Sequence, residues 1–234
     1  MPSALRDKTA SDLRDSPAYT LAEAARYLKL PPATLRSWVL GRRYPTAGGD
    51  SQFHPLIRPA SRWPPLLSFW NLIEAHVLRS LRTEHGVSVQ ALREALAYAE
   101  RRLHVARLLL RQELRTEAGQ VFLERYGQLI ELSASGQLAM RRVFAAHLRR
   151  VEWDERMFPM RLYPFVSTDP ITPDHPIVID PRISFGRPVV LRVGIGTATI
   201  AGRIDAGEVV EEVADDYEMS AEEVEQAVLY ERAA

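Results

Sequence analysis

The chain has 234 residues, 46% of them hydrophobic and 26% charged. That balance is ordinary for a globular protein and excludes a fibrous or wholly disordered polypeptide. There is no cysteine, so disulfide scaffolds, thiolate metal sites and cysteine nucleophiles are excluded together. No run of about 18 apolar residues is present for a membrane helix, and the polar first 16 residues have no signal-peptide core. A cytoplasmic location is the expectation.

The formal net charge of zero hides a split. Residues 1–150 hold 23 Lys and Arg against 13 Asp and Glu, a net +10. Residues 151–234 hold 7 Arg against 17 acids, a net −10. A basic half suits a polyanion, and an acidic half suits a basic protein partner. Charge alone leaves open the plainer reading, in which both halves are merely solvated surfaces.

Residues 1–18 read as a polar leader. Thr20-x-x-Glu23 is a capping box that opens a short helix over about 21–28. Pro31 breaks it, and Pro32 sits harmlessly in the first turn of a second helix. That helix carries Leu35, Trp38 and Val39 on one face and stops near Gly41. Residues 41–67 read as loop with short strand edges, because Gly48-Gly49 and five prolines forbid long helices.

Ser68 caps a further helix, with Phe69, Ile73 and Val77 aligned, ending at Gly86. Another is expected from Ser88 to about Gln112. In it Val89, Leu92, Leu96, Ala99, Leu103, Ala106 and Leu110 alternate steps of three and four, a heptad seam. Such a seam packs inside the chain or joins two chains, and the regularity favours a homodimer. Residues 120–132 read as a β-hairpin turning near Tyr126-Gly127, and a helix follows over 137–150. Pro170, Pro173 and Pro176 mark a linker. Beyond it, Ile177-Val178-Ile179 and Val189-Val190-Leu191 are short strands. Three helices follow, over 197–205, 208–217 and 221–232, the last opened by the capping box Ser220-x-x-Glu223.

The fold class expected is mainly α with small β elements. The domains are a leader (1–18), a helix-turn-helix unit (19–86), a central helix-and-hairpin unit for dimerisation (87–166), a linker (167–175) and an acidic helical domain (176–234).

Two stretches resemble known families. The run from Tyr19 through Leu30, then Pro32-Ala33-Thr34-Leu35-Arg36-Ser37-Trp38, resembles the start of MerR-type regulators. The match extends over roughly residues 19–100. It implies a winged helix-turn-helix whose second helix enters the major groove, with Thr34, Arg36, Ser37 and Trp38 at the DNA. Ser37 stands where that family often has an aromatic. Arg42 and Arg43 follow the helix, and Arg58 and Arg62 fall where a wing would reach. Their forked donors suit phosphates and guanine edges. For Trp38 a place in the core competes with DNA contact.

The second stretch, Ile177 to Val190, carries Asp180-Pro181, Ile183, Gly186-x-Pro188 and Val189. It resembles a bacterial family with the signature I-x-x-D-P-x-I-x-x-G-x-P-V and three homeodomain-like helices, formally of unknown function and called VapB-type antitoxins. Leu191, Arg192, Val193 and Gly194 stand where the family continues R-G-T-R. The resemblance implies a PIN-like ribonuclease toxin as partner. Ten acids against one base over 207–234 repel nucleic acid and fit the basic cleft such a ribonuclease would need. The candidate toxin-contact residues are Glu211, Glu212, Asp215, Asp216, Glu218, Glu222 and Glu225.

No catalytic constellation is legible. The six histidines have no metal spacing, and Asp215-Asp216 and Glu222-Glu223 are neighbours that point apart on their helices. No enzyme activity, metal or cofactor is expected. The reading is therefore a type II antitoxin that neutralises a ribonuclease and autorepresses its operon. The alternative is a MerR-like transcription regulator with a C-terminal ligand-sensing part.

Overall fold

The computed structural model describes residues 12–46, 49–53, 55–81, 89–104, 106–111, 114, 117–131, 133–164 and 176–233. It is mainly helical, with four small antiparallel sheets. The linker 167–175 and most of the leader lie outside the described residues.

The N-terminal unit is built on two caps. β1 (Tyr19–Thr20) runs into α1 (Leu21–Tyr27), where Thr20 and Glu23 form the full capping box. Lys29 takes a left-handed turn (φ 51°), and α2 (Pro32–Leu40) starts with proline in its first turn. Gly41, at φ 75°, ends α2 with a backbone bond to Ser37. A hairpin follows, β2 (Arg42–Thr46) on β3 (Gly49–Phe53), with Arg42 opposite Phe53 and Arg43 opposite Gln52. β4 (Ser61–Arg62) and β5 (Pro65–Leu67) make a second, tighter hairpin, and β5 pairs with β1. The stretch read as loop thus holds four short strands. Its prolines sit where antiparallel ladders tolerate them, at strand ends and edges.

Ser68 caps α3 (Phe69–Ser80), which is buried nearly all round. A helix hydrophobic on every side belongs at the centre of a core, and α3 lies there, against β5 and the later helix at Ala134–Arg149. The helix ends at Ser80 with Leu81 as its C-cap, six residues before the expected end at Gly86, which itself lies outside the described residues.

The central unit corrects two expectations. α4 (Val89–Leu103) is one turn and more shorter than the heptad seam. His104 and Arg107 turn left-handed, and a 3-10 turn (Leu108–Leu110) folds back on α3. Leu92, Leu96 and Ala99 are buried in this chain's own core, Leu103 is half-buried and Ala106 is exposed outside the helix. Leu110 is buried from the 3-10 turn, and the side chain of Val89 lies outside the description. The part of the seam on α4 packs against α5 of the same chain, so Leu92, Leu96 and Ala99 are not available to a second copy.

The second correction is the hairpin. Residues 117–129 form α5 (Glu117–Leu129). Phe122, Leu123 and Tyr126 recur at helical spacing, and all three are buried. Phe122 lies 6.1 Å from Phe144 of α6 (Ala134–Arg149). Gly127, read as a turn, sits in mid-helix, where a Cβ would come within 3.1 Å of the Gln137 side chain. Its smallness serves close helix approach.

β6 (Val151–Trp153) and β7 (Pro159–Leu162) form a third hairpin. The C-terminal unit begins at β8 (Ile177–Val178), which pairs with β9 (Val189–Val190), itself paired with β10 (Ile195–Gly196). Then come α7 (Thr197–Asp205), α8 (Val210–Asp216) and α9 (Ala221–Arg232). The predicted ends of α7 and α9 agree, and α8 is shorter by about three residues. A small core of Val190, Ile200, Val213, Val224 and Ala227 holds these helices. Leu162 exchanges both backbone hydrogen bonds with Ile179, at 3.0 and 2.8 Å, and Ile179 belongs to the main core. The C-terminal unit is therefore stitched onto the rest, not merely tethered to it. No described helix is long and apolar enough to cross a membrane.

Candidate nucleic-acid interface and acidic docking face

α1 and α2 are held at a fixed angle by a shared core of Ala24, Ala25, Leu28, Leu35 and Val39. Leu28 O accepts from Arg79 Nη1 of α3 at 2.7 Å, which fixes the turn between the helices. The C-terminal end of α2 is pinned as well: Trp38 O accepts from the backbone N–H groups of Leu56 (2.7 Å) and Ile57 (3.0 Å). The segment that carries Arg58 is thereby tied to the second helix.

Of the residues expected at DNA, Arg36 is exposed and Thr34 and Ser37 are half-buried on α2. Arg58 and Arg62 are exposed on the segment leading through β4. Arg42 and Arg43 lie on β2, beside this set in the chain, with side chains outside the description. Trp38 is a correction. It is 2% exposed and packed in the core, so it positions α2 and does not reach a ligand. Its i+3 spacing from Leu35 already put it on the apolar face. The sequence reading missed Trp63, which is 90% exposed in the turn between β4 and β5, next to Arg62. An exposed aromatic between a basic residue and prolines leaves no periodic signature.

The seven acids proposed for a partner are solvent-exposed. Glu211, Glu212, Asp215 and Asp216 on α8, Glu218 after it, and Glu222 and Glu225 on α9 are all exposed. Asp216 is held by Arg203 Nη2 at 2.6 Å, and the same guanidinium grips Glu208. Those partners hold Arg203 above its ordinary value. Arg192, in the stretch where R-G-T-R is replaced, pairs with Glu223 at 2.7 Å, whose carboxyl is held below the usual range. The acidity left for a partner is therefore mainly that of α8 and the exposed side of α9.

The loop before β9 carries the largest surprise. Ser184, Phe185 and Gly186 are successively left-handed, at φ 47°, 56° and 74°. Phe185 is 92% exposed. The loop is clamped by Asp180, which is fully buried and accepts from Arg161 Nε (2.8 Å), Arg182 Nη2 (2.7 Å) and the Arg182 N–H (2.9 Å). Burial pushes the Asp180 carboxyl up, but these charge-assisted bonds outweigh it and hold the group below its ordinary value. The Asp-Pro signature thus reads as a structural clamp. Among the described residues, no group of three or more acids or histidines is gathered to hold a metal ion.

The fold and the exposed groups define a helix-turn-helix head joined to an acidic three-helix unit. Comparison with known proteins agrees on both parts. Residues 17–96 match the family described as "Putative DNA-binding HTH domain", and residues 177–230 match "Protein of unknown function (DUF433)". The chain is 31% identical to the "Putative antitoxin VapB45" of Mycobacterium tuberculosis, over 92% of this chain and 93% of that one. It is 25% identical to the uncharacterized protein Rv2308 of the same organism, over 96% and 94%. The crystal structure of Rv2018 from Mycobacterium tuberculosis superposes with a TM-score of 0.64 at 25% identity, covering 91% of this chain and 97% of that one. The chain belongs to the VapB-type antitoxin family, with an N-terminal helix-turn-helix domain and a C-terminal DUF433 domain.

Proposed function

We propose that the protein is a non-enzymatic antitoxin that binds its operator through the N-terminal head and neutralises a PIN-like ribonuclease through the acidic face of α8 and α9. The observation that carries the reading is the joint one: kinship with the "Putative antitoxin VapB45" over 92% of the chain, Arg36, Arg58 and Arg62 exposed on the head, and seven acids exposed on the C-terminal unit. Arginines beside a helix-turn-helix suit phosphate and base contact. An acidic face repels DNA and steers toward a basic protein cleft. Autorepression then follows from one chain holding both activities, and a cytoplasmic location suits both partners.

Operator binding by two copies is part of this reading, since a helix-turn-helix dimer reads two half-sites. The burial of Leu92, Leu96 and Ala99 against α5 argues against pairing through that part of α4. The deciding experiment is co-expression with the product of the neighbouring gene, followed by pull-down and an RNA cleavage assay. Rescue of growth and a stable complex are expected. Absence of a complex, with operator binding intact, would leave a plain transcription regulator.

A further inference from the structure

A cavity of about 520 Å³ opens between the head and the central unit. That lies within the size range of small-molecule sites, and junctions between units are where such sites occur. Leu56, Leu96, Ala97 and Leu109 supply apolar wall. Arg58, Arg93 and Arg107 supply cations, and Asp15, Glu74 and Glu100 face the same space.

The charges are not equally committed. Glu74 is almost fully buried and accepts from Arg107 Nε (3.2 Å) and Asn71 Nδ2 (2.8 Å). Burial pushes its carboxyl up, and Arg107 opposes that. Arg107 also pairs with Asp15 at 3.3 Å, so this guanidinium is neutralised twice. Glu100 accepts from the Leu108 N–H. The exposed Arg58 guanidinium at the rim has no ion pair among the described residues.

The cavity is wired to the head. Asn71 Nδ2 donates to Arg58 O at 3.0 Å as well as to Glu74, and Asn71 Oδ1 accepts from the Ala60 N–H at 3.1 Å. Leu56 lines the wall and its N–H holds Trp38 O at the end of α2. A molecule lodged here pushes on the segment 55–60, which is bonded to the second helix on one side and leads into β4 on the other.

We propose that this cavity is a binding site for a small amphipathic anion, a carboxylate or phosphate monoester on a compact apolar body, and that its occupancy changes DNA affinity. The apolar walls take the body, and Arg58 takes the anion. The second half rests on the DNA-binding reading; the first does not.

The test uses the full chain with benzoate and phenyl phosphate as probes, and benzyl alcohol and sulfate at matched ionic strength as controls. At tenfold excess over Kd, a probe that binds only the folded state raises Tm by roughly 3–5 °C. Ala97→Trp fills the cavity and should abolish the shift. Arg58→Gln alters an exposed side chain, so it folds, and should weaken probe binding about tenfold. No saturable shift, an unchanged shift in Arg58→Gln, or an equal shift with benzyl alcohol or sulfate overturns the site. At probe saturation, operator affinity should change about fivefold or more. Constant affinity overturns the coupling and leaves the site standing. A chain that ignores DNA without any probe refutes the DNA reading, while the thermal shift still decides the site.

Discussion

The phenol of Tyr230, near the end of α9, donates a 2.8 Å hydrogen bond to the carbonyl of Tyr27, the last residue of α1. The Lys29 ammonium lies 4.1 Å from the centre of the same ring. The DUF433 helix therefore rests on the turn of the helix-turn-helix. Residues 203 positions apart in the chain meet at this contact, which joins two units of opposite charge.

Tyr230→Phe tests that contact. The ring stays and the Tyr27 carbonyl loses a buried donor, which costs about 1–2 kcal/mol. Urea denaturation should show a lower midpoint with an unchanged slope. A two-step transition in the variant would mean that this bond keeps the units cooperative. No change at all would mean that water replaces the phenol.

Arg36→Ala and Trp38→Ala should separate contact from support. Arg36 is exposed, so its removal should leave stability within about 0.5 kcal/mol and weaken operator binding by about 1–3 kcal/mol. Trp38 is buried, and its loss should cost about 3–5 kcal/mol of stability. Calorimetry beside an electrophoretic mobility assay checks both. A stable Trp38→Ala that has lost only DNA binding would return Trp38 to the interface.

What was legible in the sequence follows the range of the forces involved. Capping boxes are local, so Thr20-Glu23 and Ser220-Glu223 marked their helices correctly. Leu35 and Val39 were identified as core by period alone. The heptad seam holds only as far as Leu103, where the helix ends, and periodicity does not name the partner that covers it. α5 was misread because Val121-Phe122-Leu123 and Leu129-Ile130 look strand-like around Gly127, and the neighbours that decide between helix and strand, α4 and α6, are tertiary. Arg36, Arg58 and Arg62 were visible as charges, whereas Phe185 depends on three left-handed residues that no propensity announces.

Gly186 gives a sharp substitution test. Its φ of 74° strains any side chain, and a Cβ would lie 2.0 Å from the Tyr19 hydroxyl. Gly194, at φ 71°, has nothing within 4 Å. Gly194→Ala should cost about 1 kcal/mol from backbone strain alone. Gly186→Ala adds overpacking of about 1–3 kcal/mol. Equal midpoints for the two variants would refute the close seating of this loop on the head.

The buried pair His76 and His147 should make the fold acid-sensitive. Their rings are 5.0 Å apart, with His76 Nε2 3.0 Å from His147 O and His147 Nδ1 2.9 Å from Val143 O. Burial lowers both from the ordinary 6.5, His147 to about 4. Above pH 6.5 both states are neutral and stability is full. Below it the unfolded chain takes protons that the folded one refuses, so stability falls until the folded groups titrate. His147 alone contributes up to about 3 kcal/mol of this loss. His147→Gln should flatten the stability profile between pH 6.5 and 4, and an unaltered slope would place the acid sensitivity in other groups.

Cleavage at a protease site introduced near Thr172 tests how far the two units are independent. A proline-rich linker suggests that few contacts cross it, and separable pieces would follow. The structure argues otherwise, through Leu162 with Ile179, Arg161 with Asp180, and Tyr230 with Tyr27. Ile179 sits in the main core, so separation would expose apolar surface as well as break hydrogen bonds. The cleaved chain should elute from gel filtration as one species. Moderate salt should not part the pieces, because Ile179 is packed in the main core and the Asp180 clamp is buried and little screened. Urea should part them below the midpoint of the intact chain, since cleavage makes the joint bimolecular. If the pieces instead separate in plain buffer and each retains its binding, with the N-terminal piece on DNA and the C-terminal piece on toxin, these contacts add nothing to stability and the units are autonomous.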